Sequence, residues 1–172
     1  MSAEKVKRIT FFLKDPIECP VCETSFYKEE LLSGSGRLIA GNLTEELRRL
    51  YEPSKKFGEL FPLNYVITAC PECFYSAYSK DFIFSDEEMA EALSAETDKR
   101  KNSIKLIFNN LDFTQARNIN EGVASFYLAI MCYDHFSKNS APTIKQGISS
   151  LRTAWLFNDL HRKESNENYD YL

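Results

Sequence analysis

The chain has 172 residues, of which 44% are hydrophobic, so it can bury the core of one domain or two small ones. Its formal net charge of −4 disfavours nucleic acid as a partner, because nucleic-acid binding usually needs a basic face. No apolar run approaches the roughly 18 residues that span a bilayer, and the run at residues 9–13 is too short for a signal peptide. We therefore expect a cytoplasmic protein with no membrane span.

The first third of the chain is predicted to form short β-structure around a cysteine motif. β-Branched and aromatic residues within 8–13 predict a strand, and a Cys-Pro-x-Cys motif follows at residues 19–22. Serine and glycine alternate over residues 33–36, which predicts a turn; a phosphate loop would need Gly-Lys-Ser/Thr there. Thr44 is a candidate N-cap for a short helix over residues 45–51.

The next segment carries a basic cluster and leads into a second cysteine motif. The basic cluster consists of Arg48, Arg49, Lys55 and Lys56. A solvated helix face is its simplest interpretation, and a ligand site is the alternative. Residues 63–69 predict a strand that leads into Cys-Pro-Glu-Cys at residues 70–73, and the aromatic-rich residues 74–84 predict the return strand.

The two cysteine motifs together have the spacing of a structural zinc site. Two sulfurs separated by two residues can bind a metal from one side, and a second pair completes a tetrahedron. The predicted ligands are Cys19, Cys22, Cys70 and Cys73. Closing the long segment between the motifs costs roughly 3–4 kcal/mol, whereas structural zinc supplies an apparent free energy of about 10–16 kcal/mol. Four thiolates leave no open coordination position, so we expect a structural Zn²⁺.

Alternatives to zinc stay open. Thiol–disulfide exchange also uses Cys-x-x-Cys, although such motifs normally occur singly and open a helix after a strand. Iron is the second metal that suits four thiolates, and the cysteines could also carry no metal. Reduced cytosolic thiols favour a metal over a disulfide. In such turns a glycine with positive φ often follows the second cysteine, whereas Glu23 and Phe74 stand there in this chain.

From residue 85 onward the β signals end and helical spacing begins. Ser85 and Glu88 have the spacing of a capping box for a first helix. The polar residues 94–103 either lie within one long helix or separate two helices. A central helix, apolar nearly all round, is predicted to begin at Asn118 or Asn120.

The last predicted helix carries a clear apolar stripe. Pro142 suits its first turn. The stripe consists of Ile144, Ile148, Leu151 and Trp155. Gly147 and Ala154 lie seven residues apart beside it, and small residues let a neighbouring helix approach closely. We expect Trp155 to be a core residue.

The remaining candidate residues favour structural roles. Cys132 lies in an apolar helix centre, which is typical of a buried small hydrophobe rather than a ligand or nucleophile. His135 and His161 fall near predicted helix C-termini, where the helix dipole favours a cation. No Ser–His–Asp, Cys–His, paired-carboxylate or dinucleotide signature is present, so we do not expect an enzyme.

Several motifs together resemble an uncharacterised bacterial family known only as a domain of unknown function. They are Cys-Pro-Val-Cys at residues 19–22, Pro-Leu-Asn-Tyr-Val at residues 62–66 before the second motif, and Leu-Arg-Thr-Ala-Trp-Leu at residues 151–156. The resemblance extends from about Pro16 to Leu160. It implies an N-terminal zinc-binding module and C-terminal helices similar to tetratricopeptide repeats, without a known activity.

The likeness to tetratricopeptide repeats assigns particular positions in the helices. Val123, Ala124 and Tyr127 fit a first repeat helix, and Gly147, Leu151 and Ala154 fit a second. The connection is longer than in the standard repeat, so at most one clear repeat is present. A single repeat cannot bury its own faces, so the stripe needs a cover: the zinc module, a second copy or a partner protein.

The predicted fold class is α+β. Residues 1–84 form a β-rich module similar to a zinc knuckle or zinc ribbon, and residues 85–172 form an all-α, tetratricopeptide-like bundle. The leading hypothesis is a non-enzymatic interaction or scaffold module that binds a protein partner or a second copy through the C-terminal helices. The alternative is a single-stranded nucleic-acid binder in which Phe74, Tyr75 and Tyr78 stack on bases. A thiol oxidoreductase is a third possibility.

Overall fold

The computed structural model describes residues 8–164, which combine short strand pairs in the first half with α-helices in the second. The predicted order of small β-elements followed by C-terminal helices is confirmed. Residues 1–7 and 165–172, which end the two predicted regions, lie outside the described residues. None of the helices in the described part is long and apolar enough to cross a membrane.

Eight short strands pair two by two and form no closed sheet within residues 8–164. They are β1 (Thr10–Phe12), β2 (Ile17–Glu18), β3 (Ser25–Phe26), β4 (Glu29–Leu31), β5 (Ile39–Leu43), β6 (Arg49–Glu52), β7 (Ile67–Ala69) and β8 (Ser76–Tyr78). The antiparallel pairs are β1 with β4, β2 with β3, β5 with β6, and β7 with β8. One cysteine motif lies between β2 and β3 and the other between β7 and β8, so each motif closes a hairpin.

The strands around the second motif are shorter than predicted. Pro62–Tyr65 forms a 3-10 helix with the proline in its first turn, so the strand predicted over residues 63–69 is reduced to β7. A proline has no N–H and a fixed φ, which suits a helical first turn better than a strand ladder. The return strand predicted over residues 74–84 is reduced to β8, because Phe74 still belongs to the cysteine turn and another turn follows Tyr78.

The helix predicted over residues 45–51 is wrong, because this segment forms the turn and second strand of the β5–β6 hairpin. The backbone N–H of Thr44 donates to the Arg48 carbonyl at 2.9 Å, and the Arg48 N–H donates to the Thr44 hydroxyl at 3.2 Å. Leu47 has a φ of 60°, which a right-handed helix cannot accommodate. A threonine side chain can close a turn as readily as it caps a helix. The basic cluster therefore does not lie on a helix face.

Four α-helices make up the second half of the described chain. They are α1 (Glu87–Ala95), α2 (Thr97–Lys105), α3 (Ile119–Cys132) and α4 (Pro142–Lys163). The N-cap of α1 is Asp86, whose side chain accepts the N–H of Met89 at 3.0 Å; it is not the predicted Ser85. The polar residues 94–103 contain a break at Glu96, so the chain forms two helices there rather than one long helix, and most of the polar stretch belongs to α2.

Helices α3 and α4 begin where the sequence predicts. Asn118 is the N-cap of α3, and the Glu121 carboxylate accepts the Asn118 backbone N–H at 3.0 Å, which completes a capping box. Pro142 occupies the first turn of α4. α3 packs against α4, β7 and β8, so it is the central helix of the described fold.

One hydrophobic core runs through both halves of the described chain. Tyr78 of β8 packs edge-on against Phe126 of α3, with 6.4 Å between ring centroids. Buried residues from the cysteine motifs, including Cys19, belong to the same cluster as the buried faces of α3 and α4. The division into residues 1–84 and 85–172 stays a prediction, and the two regions share this core.

Candidate metal centre

The fold brings the four predicted cysteine ligands together. The Sγ atoms of Cys19 and Cys73 lie 3.7 Å apart, those of Cys22 and Cys70 lie 3.6 Å apart, and all four lie within 4.8 Å of one another. A regular tetrahedron of sulfurs around a metal at about 2.3 Å has edges of about 3.8 Å. Three of the cysteines are buried and Cys22 is half-buried. This arrangement is close enough to hold one metal ion.

Both cysteine motifs form the same local turn, which we call a knuckle (residues 19–24 and 70–75). In each knuckle the residue after the second cysteine donates its backbone N–H to the carbonyl of the first cysteine. These bonds join Glu23 to Cys19 at 2.9 Å and Phe74 to Cys70 at 3.2 Å. Glu23 and Phe74 have φ values of 59° and 58°, so they adopt the left-handed conformation that glycine usually supplies. Both knuckles therefore form the usual turn although neither of these two positions is a glycine.

The crowding of four sulfurs controls their protonation. Hydrogen bonds from the Cys19 and Cys73 thiols lower the pKa of Cys70, with further help from the backbone N–H groups of Cys73 and Glu72. The hydrogen bond to Cys70 in turn raises the pKa of Cys19, and hydrogen bonds with Cys19 and Cys70 raise the pKa of Cys73. Four thiolates at these distances repel one another, and a bound divalent cation removes that repulsion.

The aromatic residues beside the second knuckle do not form an exposed stacking platform. Tyr75 is fully buried. Phe74 is half-buried and packs edge-on against Phe113 at 5.7 Å, and Tyr78 is half-buried beneath the guanidinium of Arg152. Base stacking needs an accessible ring face, so these positions do not favour the single-stranded nucleic-acid hypothesis.

The other candidate residues occupy structural positions. Cys132 is fully buried, its sulfur accepts the backbone N–H of Ser76 at 3.4 Å, and burial raises the pKa of its thiol to about 11. His135 follows the end of α3 and its Nε2 lies 3.1 Å from the Glu96 carboxylate. His161 lies in the last turn of α4, as predicted.

One residue beside the candidate metal site carries no signal in the sequence. Arg100 lies inside the polar stretch 94–103, which suggests a solvated side chain, yet Arg100 is only 1% exposed. Its guanidinium donates from Nε and Nη2 to the Cys73 carbonyl at 3.3 and 3.2 Å. Arg100 stands between Lys99 and Lys101 and carries no local signal of burial, because the knuckle that covers it lies 27 positions earlier in the chain.

The apolar stripe of α4 is exposed over most of its length. Ile144, Ile148 and Leu151 are 65%, 41% and 46% exposed. Gly147 and Ala154 beside them are also exposed. We call these five residues the α4 face. The tetratricopeptide likeness placed Gly147, Leu151 and Ala154 against a neighbouring repeat helix, and within residues 8–164 no helix covers them.

The buried side of α4 is instead partly polar. Its buried residues are Ser149, Thr153, Leu156, Phe157, Asp159 and Leu160. The Ser149 hydroxyl lies 3.2 Å from the Tyr78 hydroxyl, and Thr153 donates to the Ser149 carbonyl at 2.8 Å. Small hydroxyl groups whose hydrogen bonds are satisfied therefore pack against the core beside large apolar residues, and the apolar stripe faces outward.

The β5–β6 hairpin borders one side of the α4 face. Leu47 at its turn is 78% exposed, and Arg48 covers the ring of Trp155 at 5.7 Å. Trp155 is therefore half-buried rather than in the core as predicted. A groove of about 400 Å³ runs between hairpin and helix, and Leu47, Leu151 and Trp155 contribute to its lining.

Comparison with known proteins identifies the family. Residues 12–171 match the family described as an uncharacterized protein conserved in bacteria (DUF2225), and the chain belongs to this family. A relative from Borreliella burgdorferi, described only as an uncharacterized protein, is 44% identical over 168 residues. The match covers 97% of this chain and 60% of the relative, so the chain spans less than two thirds of that relative's length. No solved structure matches significantly.

The predicted resemblance to an uncharacterised bacterial family is thereby confirmed. The family match carries no information about a zinc module, tetratricopeptide-like helices or an activity. Those parts of the interpretation depend on the residues themselves.

Proposed function

We propose that this protein is a non-enzymatic interaction or scaffold module. A structural Zn²⁺ bound by four cysteines stabilises the fold, and the α4 face binds a protein partner or a second copy. The proposed ligands are Cys19, Cys22, Cys70 and Cys73. We place the protein in the cytoplasm, where reduced thiols are available for zinc. The exposed α4 face is the observation that carries the proposal.

Zinc is the metal that this donor set favours. Soft thiolates select zinc or iron among the common cellular metals, and zinc accepts a tetrahedral geometry without a redox requirement. Four protein ligands leave no position for water or substrate, so the ion serves the fold and performs no reaction. Both knuckles donate backbone N–H groups to sulfur, which stabilises the thiolate form.

The α4 face has the composition of a binding surface. Ile144, Ile148 and Leu151 expose large apolar side chains in a single row. Contiguous apolar patches on a folded monomer usually mark an interaction site, because exposing them to water is unfavourable. Within residues 8–164, a Cβ added at Gly147 would have no atom within 4 Å apart from the adjoining backbone of its own helix, so a partner helix can approach the backbone closely there.

Site-specific cross-linking tests the interaction. We expect a photoreactive amino acid at Leu151 to give a discrete adduct in native cells, and the same probe at Ser150, exposed on the same helix but outside the α4 face, to give none. Ile148→Asp should abolish the Leu151 adduct without unfolding the protein. Sedimentation of the purified protein then separates a second copy from a different partner. A monomer that forms no adduct from Leu151 would contradict the proposal.

Metal analysis tests the other half of the proposal. We expect one zinc per chain and Cys132 as the one cysteine whose thiol is not bound to metal. The four knuckle thiols should become reactive after chelation. Thiol exchange would instead predict a reactive pair before chelation and a disulfide after mild oxidation.

A further inference from the structure

Arg100 is a cation buried directly behind the second knuckle. It belongs to α2, is 1% exposed, and is the largest fully buried side chain among the described residues. Arginine is always charged at neutral pH, so its burial is costly unless a negative charge lies nearby. The hydrogen-bond partners of the guanidinium show whether such a charge is present.

The hydrogen-bond partners of Arg100 are all neutral. Nε and Nη2 donate to the Cys73 carbonyl, Nη1 donates to the Leu93 carbonyl at 2.6 Å, and Nη2 donates to the Thr97 hydroxyl at 3.1 Å. These bonds give each guanidinium nitrogen a partner, and the Leu93 carbonyl adds the partial negative charge at the C-terminal end of α1, but none of the partners carries a full negative charge.

The acidic side chains near Arg100 have other cations as partners. Within residues 8–164 no carboxylate forms an ion pair with Arg100. Glu96 pairs with Lys99 and His135, and Glu72 pairs with Lys101. No carboxylate in the described part of the chain therefore neutralises this buried positive charge.

A divalent ion with four thiolates supplies that negative charge. Four sulfurs contribute −4 and the ion +2, so the occupied site carries a net charge of −2 in a buried location. Arg100 donates two N–H groups to the backbone carbonyl of Cys73, one of the proposed ligands. Opposite charges attract strongly in a low-dielectric interior, so a cation here favours the metal-loaded site.

We propose that Arg100 is the built-in counter-charge of the four-cysteine metal site. It is a positioning residue: it orients Cys73 through the carbonyl and offsets the excess negative charge of the thiolates. Arg100 has this role only if the zinc site proposed above exists. The competing explanation is purely structural, since the same side chain also satisfies the Leu93 carbonyl near the end of α1.

Chelator competition on the full chain separates the two explanations. We expect Arg100→Gln to weaken Zn²⁺ binding by about tenfold or more, as loss of groups that support metal ligands commonly does. Arg100→Lys keeps the charge and should stay within about threefold of wild type. Lys99→Met, an exposed cation on the same helix, is the matched control and should bind zinc like wild type.

A second readout responds to charge and not to packing. In protein loaded with iron instead of zinc, Arg100→Gln should lower the Fe³⁺/Fe²⁺ reduction potential relative to wild type and to Lys99→Met, because a nearby cation favours the reduced site. If Arg100→Gln does not fold, Arg100→Lys decides the matter alone. A tenfold loss of zinc affinity in Arg100→Lys would then assign the effect to the guanidinium hydrogen bonds and overturn the counter-charge role.

These measurements separate failure of the role proposed for Arg100 from failure of the proposed zinc site. If the wild-type chain binds no metal, the zinc site fails and the role of Arg100 with it. If wild type binds zinc and Arg100→Gln binds it equally well with an unchanged iron potential, only the role of Arg100 is wrong.

Discussion

Arg48 on the β5–β6 hairpin forms an ion pair with Asp159 on α4, although the two residues lie 111 positions apart in the chain. The same guanidinium donates to the Trp155 carbonyl at 3.1 Å. Asp159 is 3% exposed, and its second cationic partner is Arg162. This pair fastens the hairpin to the helix that carries the α4 face.

We expect Arg48→Met to lower the free energy of unfolding by about 2 kcal/mol, because the buried Asp159 carboxylate would lose one of its two ion-pair partners among the described residues. Urea unfolding of the metal-loaded protein measures the change. Arg49→Met is the matched control: Arg49 donates to the Gly41 carbonyl at the surface, so its loss should cost less than about 0.5 kcal/mol. Equal stability of Arg48→Met and wild type would show that the pair does not anchor the hairpin.

Removal of the proposed Zn²⁺ should destabilise the protein strongly. Cys22→Ser removes one of four thiolates, so we expect loss of bound zinc and a large fall in thermal stability, since metal-binding free energy contributes to folding. Native mass spectrometry and thermal unfolding measure both effects. Cys132→Ala is the control. Cys132 lies outside the four-cysteine cluster, so this variant should still bind one zinc per chain. Full zinc occupancy in Cys22→Ser would argue against a four-thiolate site.

The left-handed backbone at Glu23 predicts an unusual response to glycine. Glu23 is exposed with a φ of 59°, a conformation that costs other residues about 1 kcal/mol. Glu23→Gly should therefore leave the free energy of unfolding equal to that of wild type or raise it by up to about 1 kcal/mol. Glu23→Ala keeps the strained backbone and should give no gain. A clear destabilisation by glycine relative to alanine would mean that the knuckle does not need a positive φ there.

Two helical glycines should respond oppositely to alanine. A Cβ at Gly122 of α3 would approach the Asn64 Cα to 3.1 Å and overlap the Asn64 side chain, so Gly122→Ala should cost about 2 kcal/mol or more. In the described part of the chain, a Cβ added at Gly147 of α4 would contact nothing within 4 Å beyond its own helix backbone, so Gly147→Ala should stabilise the isolated protein by about 0.5–1 kcal/mol. Thermal unfolding of both variants tests the pair. A neutral Gly122→Ala would contradict the close contact of α3 with the 3-10 helix.

Alkaline pH should destabilise the fold through Cys132. Burial raises the pKa of this thiol to about 11, above its value of 9.0 in the unfolded chain. The folded protein holds the thiol proton more tightly than the unfolded chain does. The contribution of Cys132 to the free energy of unfolding is therefore complete below pH 9 and is lost as the pH rises towards 11. Across this pH window, we expect the free energy of unfolding of Cys132→Ala to fall by about 1–2 kcal/mol less than that of wild type. Unfolding at pH 8 and pH 10.5 measures the difference, and identical losses would contradict it.

The parts of the fold that the sequence predicted correctly depend on short-range signals. The Cys-x-x-Cys spacing of Cys19 and Cys22 forces two sulfurs to one side of a turn. The cap at Asn118 and the proline at Pro142 act on the backbone within their own helical turn. Thr44 shows the limit of such signals, because its hydroxyl bonds the backbone of Arg48 in a hairpin and not in a helix.

By itself, the sequence determined which two sulfurs lie on one side of each knuckle and where α3 and α4 begin, because these properties arise from residues that are neighbours in the chain. The tertiary structure alone decided that Arg100 lies behind Cys73 and that Ile148 and Leu151 face outward while Ser149 and Thr153 face inward. Burial depends on which distant segment packs against a side chain, and neither charge nor hydropathy of the residue itself reveals that segment.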